Sequence, residues 1–187
     1  MGYLEEIESP KYELVCGEEV LMAPAGTGHN CVGGNLYAMI HTYLRGKKCR
    51  VFYETMVVLD EKNRLIPDLM VVCDRSKIQR EAVYGAPDLV VEILSPSTRK
   101  RDLGVKKDAY ERFGVKEYWI VNPKDKSIEA YHLADGRLRF DNVYSVLEEW
   151  EWKALSEKEQ AGMGLKLKVS LYEDLVIDVR DVFEGVE

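Results

Sequence analysis

No apolar segment of this sequence approaches the ~20 residues that a membrane-spanning helix requires. The sequence also lacks the basic first segment of a secretory signal peptide, because residues 1–10 are acidic. The pattern for N-myristoylation is missing as well, since Glu6 stands where that pattern requires Ser or Thr. These absences predict a cytoplasmic protein without a membrane partner.

Cysteine is scarce and dispersed, at positions 16, 31, 49 and 73. No C-x-x-C pair is present, whereas a structural zinc site needs ligands clustered in this way. An even number of cysteines does not by itself indicate disulfides in a chain of 187 residues. We therefore expect reduced and mostly buried thiols.

Positive charge is in short supply, and the net charge is −7. All of this excess comes from residues 141–187, which hold 12 acidic and 5 basic residues, while the first 140 hold 21 of each. Within that neutral part, a local excess of four positive charges combines Asp102 with Arg99, Lys100, Arg101, Lys106 and Lys107. Such a patch can contact a few phosphates but cannot give strong nonspecific DNA binding.

The apolar pattern predicts one domain of mixed α/β (α+β) class over residues 1–187. Helical spacing predicts helices at 29–44, from a cap at Ser97 or Thr98 to 113, and near 171–183. Alternating or β-branched segments predict strands at 12–15, 20–22, 50–59, 65–73, 88–94, 116–121, 127–133 and 137–144. No linker, low-complexity segment or long-period repeat interrupts the sequence.

One acidic residue, Glu92, interrupts the most apolar predicted strand, VVEIL at 90–94. An ionised carboxylate is costly to bury unless a cation, a metal ion or hydrogen-bond donors compensate it. Two structural alternatives need no chemistry: a single buried salt bridge, or a strand edge that lets Glu92 reach water. The functional alternative is a metal site.

Two Pro-Asp pairs open strands and supply possible partners for Glu92. Asp88 lies four residues before Glu92 on the same strand, roughly 13 Å away, whereas a ligand of Mg²⁺ lies only ~2.1 Å from the ion. Asp68 begins a different strand, and neighbouring strands are ~4.8 Å apart. We therefore predict that Asp68 and Glu92 share one Mg²⁺ or Mn²⁺ ion and that Asp88 caps or terminates its strand.

The helix after the Glu92 strand supplies a cation. At 100° per residue its apolar stripe is formed by Leu103, Ala109, Tyr110 and Phe113. Lys106 falls in the middle of that stripe, so its amine has a destination beside Glu92. There it could orient a metal-activated water or stabilise phosphoryl charge. The structural alternative is that the stem of Lys106 follows the stripe and its amine reaches solvent.

Three segments together resemble a known family. They are IPDL at 66–69, PDLVVEILSPST at 87–98, and RD-x3-K-x3-Y-x3-GV-x-EYWIV at 101–121. Over roughly residues 20–145 the chain resembles the Uma-type family of small bacterial "putative restriction endonucleases", which belongs to the PD-(D/E)XK nuclease superfamily. The resemblance implies a restriction-endonuclease-like core, in which helices flank a mixed β-sheet, with an N-terminal hairpin and a C-terminal β extension.

The resemblance also implies roles for particular residues. Asp68 and Glu92 match the metal ligands of the family, and Lys106 matches its catalytic lysine. The wider superfamily has its lysine two residues after the glutamate, where this chain has Leu94. The resembling family instead has the lysine on the following helix, at the position that helical periodicity selects independently.

Four further residues are candidates for smaller roles. Glu54 and His29 are possible accessory groups, although Glu54 could simply face solvent and His29 could cap a helix or make a structural hydrogen bond. Arg99 and Arg101 are possible phosphate contacts, and a solvated start of a helix explains them equally well.

The function that these expectations favour is hydrolysis of DNA phosphodiester bonds by a Mg²⁺- or Mn²⁺-dependent endonuclease. The alternatives are a non-catalytic nucleic-acid-binding or assembly module of the same fold, and a metal-dependent phosphohydrolase of small substrates. Open sheet edges and the apolar pair Tyr118-Trp119 also favour a homo-oligomer such as a dimer.

Overall fold

The computed structural model describes residues 11–96, 98–162 and 164–186. Its strands are β1 Tyr12–Val15, β2 Glu18–Leu21, β3 Arg50–Tyr53, β4 Val57–Asp60, β5 Asn63–Leu65, β6 Leu69–Val72, β7 Val83–Tyr84, β8 Leu89–Ile93, β9 Glu117–Asn122, β10 Ser127–Ala134, β11 Arg137–Ser145, β12 Lys166–Lys168 and β13 Val176–Asp178. Its helices are α1 Thr27–Leu44, α2 Arg99–Arg101, α3 Lys107–Phe113, α4 Glu149–Ala154, α5 Glu157–Gly162 and α6 Val179–Val182, with a 3₁₀ turn at Arg75–Lys77. The acidic residues 1–10 and the predicted cap Ser97 lie outside the described residues.

The strands form a mixed six-stranded sheet and a smaller five-stranded sheet. The six-stranded sheet has the order β11-β10-β9-β8-β6-β3, and within it only β8 and β9 are parallel. The second sheet has the order β2-β1-β5-β4-β7 and contains the predicted N-terminal hairpin. The predicted C-terminal β extension is the β10–β11 hairpin together with the β12–β13 pair.

Both faces of the central strands are covered, which explains their continuously apolar sequences. On one face Val91 and Trp119 pack with Leu36 of α1 in one hydrophobic cluster. On the other face Val90 and Tyr118 pack with residues of α3 in a second cluster. Because β8 lies inside the sheet, Glu92 has no access to water at a strand edge.

Two predicted strands are each divided between the two sheets. The segment predicted as one strand at 50–59 breaks after β3, where Glu54 has a left-handed backbone with φ of +41°. The segment predicted at 65–73 breaks at Pro67, which has no N–H to donate to a ladder. The chain therefore crosses between the sheets on both sides of the β4–β5 hairpin, close to Asp68.

The helix after β8 is kinked, and the kink changes which residues face inward. Between α2 and α3 the turn Asp102–Lys106 is widened, and Gly104 has non-helical angles of φ −116° and ψ −107°. The predicted stripe is wrong at Leu103, which is 39% exposed, because the kink buries Asp102 instead. The stripe is correct at Lys106, and α3 ends at Gly114, as predicted, with φ of +84°.

The helix predicted near 171–183 is wrong for most of its length. Val176 to Asp178 form β13, which pairs with β12, and only Val179–Val182 are helical. The Asp178 carboxylate accepts a hydrogen bond from the main-chain N–H of Arg180 and so caps α6. Pairing between segments of the tail overrides its weak helical pattern.

The prediction of four reduced cysteines is also wrong. Cys49 and Cys73 form a disulfide, while Cys16 and Cys31 are free thiols. The antiparallel pairing of Arg50 with Val72 explains this contact, because the next pair in that register is Cys49 and Cys73. No sequence spacing could reveal the pair, since 24 residues separate the two cysteines. In the part of the chain described here, no helix is long and apolar enough to cross a membrane.

Candidate active site

Asp68 and Glu92 lie opposite each other on neighbouring strands. The pairing of β6 with β8 matches Leu69 with Val91, and the next pair in that register is Asp68 and Glu92. The Asp68 Oδ2 atom also accepts a hydrogen bond from the main-chain N–H of Ile93 at 2.6 Å. The fold therefore brings together the two carboxylates that the sequence predicted as partners.

Lys106 points into the protein and bonds directly to Glu92. Its Nζ atom lies 2.7 Å from Glu92 Oε1, and the residue is only 3% exposed. The alternative in which the amine reaches solvent is therefore excluded. The kinked turn before α3 directs the side chain toward the even-numbered face of β8, from which Glu92 projects.

Glu13 is a member of the site that sequence reasoning missed. It lies on β1 and is buried, and its Oε1 atom is 2.9 Å from Lys106 Nζ. The same oxygen accepts a hydrogen bond from the main-chain N–H of Ile66 at 2.8 Å. Glu13 thus joins the N-terminal hairpin to the lysine and to the connection that leads to Asp68. A glutamate in a short alternating strand resembles any solvent-facing residue, so no signal distinguished it.

Asp102 is the second residue that was missed. It is 2% exposed, and its Oδ1 atom lies 3.7 Å from Lys106 Nζ. Its main-chain carbonyl accepts a hydrogen bond from the buried Tyr118 hydroxyl at 2.9 Å. A signal was available here, because Asp102 precedes Lys106 by four residues and so lies one helical turn away.

The buried charges of this cluster do not balance. Four buried carboxylates accompany one buried lysine: Glu13, Glu92 and Asp102 lie within 4.0 Å of Lys106, whereas Asp68 bonds to His29. Burial raises the pKa of Glu92 well above its ordinary value, even though Lys106 opposes the shift. Burial also raises the pKa of Asp102 against the effect of Lys106. With all four carboxylates ionised, the cluster has three negative charges in excess when His29 is neutral and two when His29 is protonated, so its environment favours any process that adds positive charge.

Tyr110 contributes a hydrogen bond to the site as well as packing. Its hydroxyl donates to Glu92 Oε1 at 2.8 Å. Burial and the nearby charge of Glu92 raise the pKa of Tyr110 well above its ordinary value, so the hydroxyl stays protonated and remains a donor. Glu92 Oε1 therefore receives both a lysine and a tyrosine.

His29 lies in the first turn of α1 and bonds to Asp68. Its Nε2 atom is 3.1 Å from Asp68 Oδ1, while its buried Nδ1 atom has no hydrogen-bond partner among the described residues. Burial lowers the pKa of His29, but the hydrogen bond and charge of Asp68 outweigh burial, so the pKa lies above its ordinary value. Gly26, rather than His29, is the N-terminal cap of α1.

Glu54 lies at the edge of this group rather than within it. Its carboxylate pairs with Lys11 at 2.6 Å and is a quarter exposed. Its main-chain N–H donates to the carbonyl of Asp68 at 3.0 Å, which connects the end of β3 to the start of β6. Glu54 thus lies at the same end of the six-stranded sheet as Asp68 and Glu92.

The basic surface beside the site is smaller than the sequence suggested. Lys106 is buried among carboxylates, and Lys107 Nζ lies 3.5 Å over the ring of Tyr131. Arg99 in α2 is exposed and Arg101 is half-buried, and neither has a carboxylate within 4.0 Å in the described ranges 11–96, 98–162 and 164–186. Only α2 therefore offers cations to a ligand on this side.

Asp88 has the structural role that the sequence predicted. Its Oδ2 atom accepts a hydrogen bond from the main-chain N–H of Cys73 at 2.7 Å, and its Oδ1 atom pairs with Lys116 at 2.7 Å. Asp88 lies just before β8, at the opposite end of that strand from Glu92. It therefore terminates its strand and takes no part in the carboxylate cluster.

The donor set around Glu92 fits a magnesium-type ion better than zinc. No group of three or more His, Cys, Asp or Glu side chains able to hold a metal occurs in the part of the chain that the structure describes. A structural zinc site needs four such ligands, whereas Mg²⁺ is usually held by one or two carboxylates and keeps several waters. Asp68 and Glu92 meet that smaller requirement.

The mixed sheet flanked by helices is the restriction-endonuclease-like fold. A crystal structure described as a putative nuclease belonging to DUF820 from Anabaena variabilis has the same fold. The TM-score is 0.73 at 17% sequence identity, and the match covers 98% of this chain and 95% of the other. At this identity the likeness establishes the fold alone.

The family follows from the sequence profile that matches residues 3–164, which is described as "Uma2: Putative restriction endonuclease". The chain belongs to this family, and that assignment supports nuclease activity as its general class. Two uncharacterized proteins of Synechocystis sp. are also similar. The protein slr1290 is 28% identical over 170 residues, 89% of this chain and 85% of the relative. The protein sll1609 is 24% identical over 138 residues, 71% of this chain and 78% of the relative.

Proposed function

We propose that the protein is a Mg²⁺- or Mn²⁺-dependent endonuclease that hydrolyses phosphodiester bonds of DNA. The observation that carries the proposal is the unbalanced buried charge: four buried carboxylates have one buried lysine and the His29 imidazole as their only cationic partners among the described residues. Buried carboxylates in such excess need a further cation or must take up protons. A divalent cation supplies that charge at neutral pH and has a direct use in phosphodiester hydrolysis.

Asp68 and Glu92 are the residues that would hold the ion. When bound, a divalent ion lowers the pKa of a coordinated water and stabilises charge on phosphoryl oxygens. The main-chain N–H of Ile93 fixes the Asp68 carboxylate, and Tyr110 fixes the Glu92 carboxylate, so neither ligand has to reorganise far. Preorganised ligands of this kind are the usual basis of electrostatic catalysis.

Lys106 would act as a fixed positive charge and not as a base. Burial lowers its pKa, but the charges of Glu92, Glu13 and Asp102 outweigh burial and raise the pKa above its ordinary value. An ammonium group that keeps its proton can orient a water or donate to a phosphoryl oxygen, but it cannot accept a proton. Glu13 and Asp102 would help to position this amine, because both lie within 4.0 Å of it.

The DNA contacts of the proposal begin at α2. Arg99 and Arg101 follow the Glu92 strand and have no carboxylate partner in the described ranges, which suits them to bind phosphate near the metal. His29 and Glu54 would have accessory roles, because His29 holds Asp68 and Glu54 joins its carbonyl.

A plasmid-nicking assay with Mg²⁺, Mn²⁺ or EDTA tests the proposal. We expect the purified protein to nick supercoiled DNA with either metal, and Asp68→Asn, Glu92→Gln and Lys106→Met each to lose roughly 10²-fold or more in rate. Asp88→Asn is the matched control, since it changes the other Pro-Asp pair at the far end of the sheet. Wild-type cleavage no faster than that of Asp68→Asn would refute the nuclease under these conditions.

Measurements of DNA binding and of nucleotide turnover, made beside the nicking assay, separate the other two functions. DNA binding without cleavage under any metal condition would favour a non-catalytic nucleic-acid-binding or assembly module. Metal-dependent turnover of nucleotides or phosphate monoesters without any DNA cleavage would favour a small-substrate phosphohydrolase. Both outcomes are read with the same variants, so a contaminating nuclease is recognised by its indifference to Asp68→Asn.

A further inference from the structure

A second group of basic side chains lies at the end of the main sheet opposite Glu92. It surrounds the C-terminal end of α1 and the start of β3. We call it the basic end and define it by Lys47, Lys48, Arg50, Arg75 and Lys116. Arg50 begins β3, whereas Glu54 lies just beyond the other end of that strand, so the two ends are roughly 13 Å apart.

Hydrogen bonds from two arginine side chains fix the geometry of the basic end. The Arg50 guanidinium donates to the carbonyls of Lys47 at 2.7 Å and Cys49 at 2.9 Å. The Arg75 guanidinium donates to the carbonyl of Lys48 at 3.3 Å. Both arginines thus bond to main-chain oxygens and keep their full charge at the surface.

Most of this charge has no acidic partner. Among the described residues, no carboxylate lies within 4.0 Å of Lys47, Lys48, Arg50 or Arg75, and only Lys116 forms an ion pair, with Asp88. The five basic residues outnumber the three carboxylates that interact with them, in a chain of net charge −7: Asp88 pairs with Lys116, Asp74 lies near Lys48, and Asp174 lies near Lys47.

Aromatic rings and a cavity accompany the charge. Lys47 Nζ lies 4.3 Å from the ring centre of Tyr43 and 5.3 Å from that of Tyr172. Lys48 and Lys116 line a cavity of about 490 Å³ together with Tyr172, Ser170 and Asp88, the carboxylate that pairs with Lys116. Basic side chains beside aromatic faces are the combination that binds single- and double-stranded nucleic acids.

The favourable interaction of basic side chains with the dipole of α1 explains only part of this surface. Cations near a helix C-terminus are favourable by a fraction of a kcal/mol, and that accounts for Lys47. It does not account for Arg75, which comes from the connection after β6. Lys116 is explained by its pair with Asp88, whereas Arg75, Lys48 and Arg50 have no carboxylate within 4.0 Å among the described residues and are available to an external anion.

We propose that the basic end binds the phosphate backbone of nucleic acid, at a segment other than the one cleaved at Glu92. The inference rests on the proposed function, since it takes the same substrate class. The inference adds a second region that contacts DNA, beyond the few basic residues of α2. Because the two regions are separated along β3, an oligonucleotide must be long enough to reach both for full affinity.

Equilibrium binding tests the proposal without cleavage. Fluorescence anisotropy in EDTA compares short and long labelled DNA, as single strands and as duplexes, over a range of salt concentrations. The test variant is Lys47→Gln/Lys48→Gln, and Lys48→Gln/Arg75→Gln is a second variant that leaves the contact of Lys47 with Tyr43 intact. The control is Lys124→Gln/Lys158→Gln, which removes the same charge at exposed positions elsewhere.

We expect both test variants to bind long DNA roughly ten-fold more weakly at low salt, with a salt slope about 1.8 shallower on duplex DNA. The advantage of long over short DNA in the wild type should largely disappear in both test variants. Equal losses in the control, or no loss in either test variant, would overturn the proposal. Competition by polyglutamate as strong as that by DNA would also overturn it, in favour of an acidic protein partner.

The two proposals fail in different ways. If the wild type nicks plasmid DNA but Lys47→Gln/Lys48→Gln does not change its affinity for long DNA, the nuclease proposal stands and the basic-end proposal fails. If binding depends on the basic end but the wild type does not nick DNA, the basic-end proposal stands and the nuclease proposal fails.

Discussion

At the scale of single residues, the organisation of the site depends on Lys106. Its amine contacts Glu92, Glu13 and Asp102, which come from three separate parts of the chain. Removing one partner of a buried ion pair leaves an uncompensated charge, which usually costs more than the pair contributed. The lysine is therefore as important to the stability of the metal-free protein as to any reaction.

We expect Lys106→Met to lower the free energy of unfolding by about 3–5 kcal/mol in EDTA, because three buried carboxylates lose their shared cation. Lys107→Met, next along the helix, is the control and should cost much less. The double variant Lys106→Met/Glu13→Gln should recover part of the loss, since one excess charge is gone. Urea unfolding measures all three, and additivity of the two changes would contradict the shared contact.

Glu92 gives a prediction with a defined dependence on pH. Burial raises its pKa in the folded protein, so the unfolded chain releases this proton at a lower pH than the folded one. Stability contributed by the protonated form is therefore present below about pH 4.5 and is lost as the pH rises through the raised pKa. Glu92→Gln cannot ionise and avoids that loss.

We therefore expect Glu92→Gln in EDTA to be more stable than the wild type at neutral pH, by about 1 kcal/mol or more, and to lose this advantage toward acid pH. Thermal unfolding at several pH values measures the difference. Mg²⁺ should stabilise the wild type and leave the variant nearly unchanged. A variant less stable than the wild type at neutral pH would show that the pair with Lys106 outweighs burial.

At the scale of elements, the packing of α1 on β3 depends on a close approach at Gly33. A Cβ atom there would lie 2.8 Å from Cε2 of the Tyr53 ring, whereas at the neighbouring Gly34 it would meet nothing within 4 Å. Replacing each of these two glycines by alanine therefore distinguishes the effect of a steric contact with Tyr53 from the effect of helix propensity.

We expect Gly33→Ala to destabilise the protein by about 1–3 kcal/mol, because the ring must move in a filled interface. Gly34→Ala should stabilise it by about 0.5–1 kcal/mol, since alanine loses less entropy in a helix interior. Chemical denaturation of both variants provides the measurement. Equal effects with the same sign would mean that α1 does not approach β3 as closely as described.

Elements were predictable where the local pattern and the tertiary environment agree. The strands β8 and β9 and the C-terminal end of α3 at Gly114 are examples, because apolar runs and a left-handed glycine determine them locally. The split between β3 and β4 was not predictable, since both halves have strand-like sequences and only the second sheet separates them. The kink at Gly104 likewise exchanged Leu103 for Asp102 in the interior.

At the scale of the whole molecule, the disulfide connects strands that are 24 residues apart in sequence. We expect alkylation of the unreduced, denatured protein to modify two of the four cysteines and mass spectrometry to find Cys49 and Cys73 protected. Reduction should lower the unfolding free energy by roughly 3 kcal/mol, the chain-entropy value for a loop of this length. Modification of all four cysteines before reduction would contradict the bond.

Self-association remains a prediction at this scale. Tyr118 and Trp119 were one reason to expect it, but both are fully buried inside the protein and cannot form an interface. The other reason stands, because β11 and β3 are the edge strands of the main sheet, and Phe140 on β11 is 56% exposed. Sedimentation equilibrium of the wild type and of Phe140→Lys would test an interface at that edge.

The sequence alone singled out β8 as the strand with a candidate functional residue, because a carboxylate among apolar residues is costly to bury wherever the chain folds. It also determined the choice of Asp68 over Asp88, since strand geometry limits how far two ligands can be apart. Only the tertiary structure decided that Glu13 and Asp102 complete the cluster and that the free cations gather at the opposite end. Those contacts join segments distant in sequence, and their energies depend on burial and distance, which local patterns do not encode.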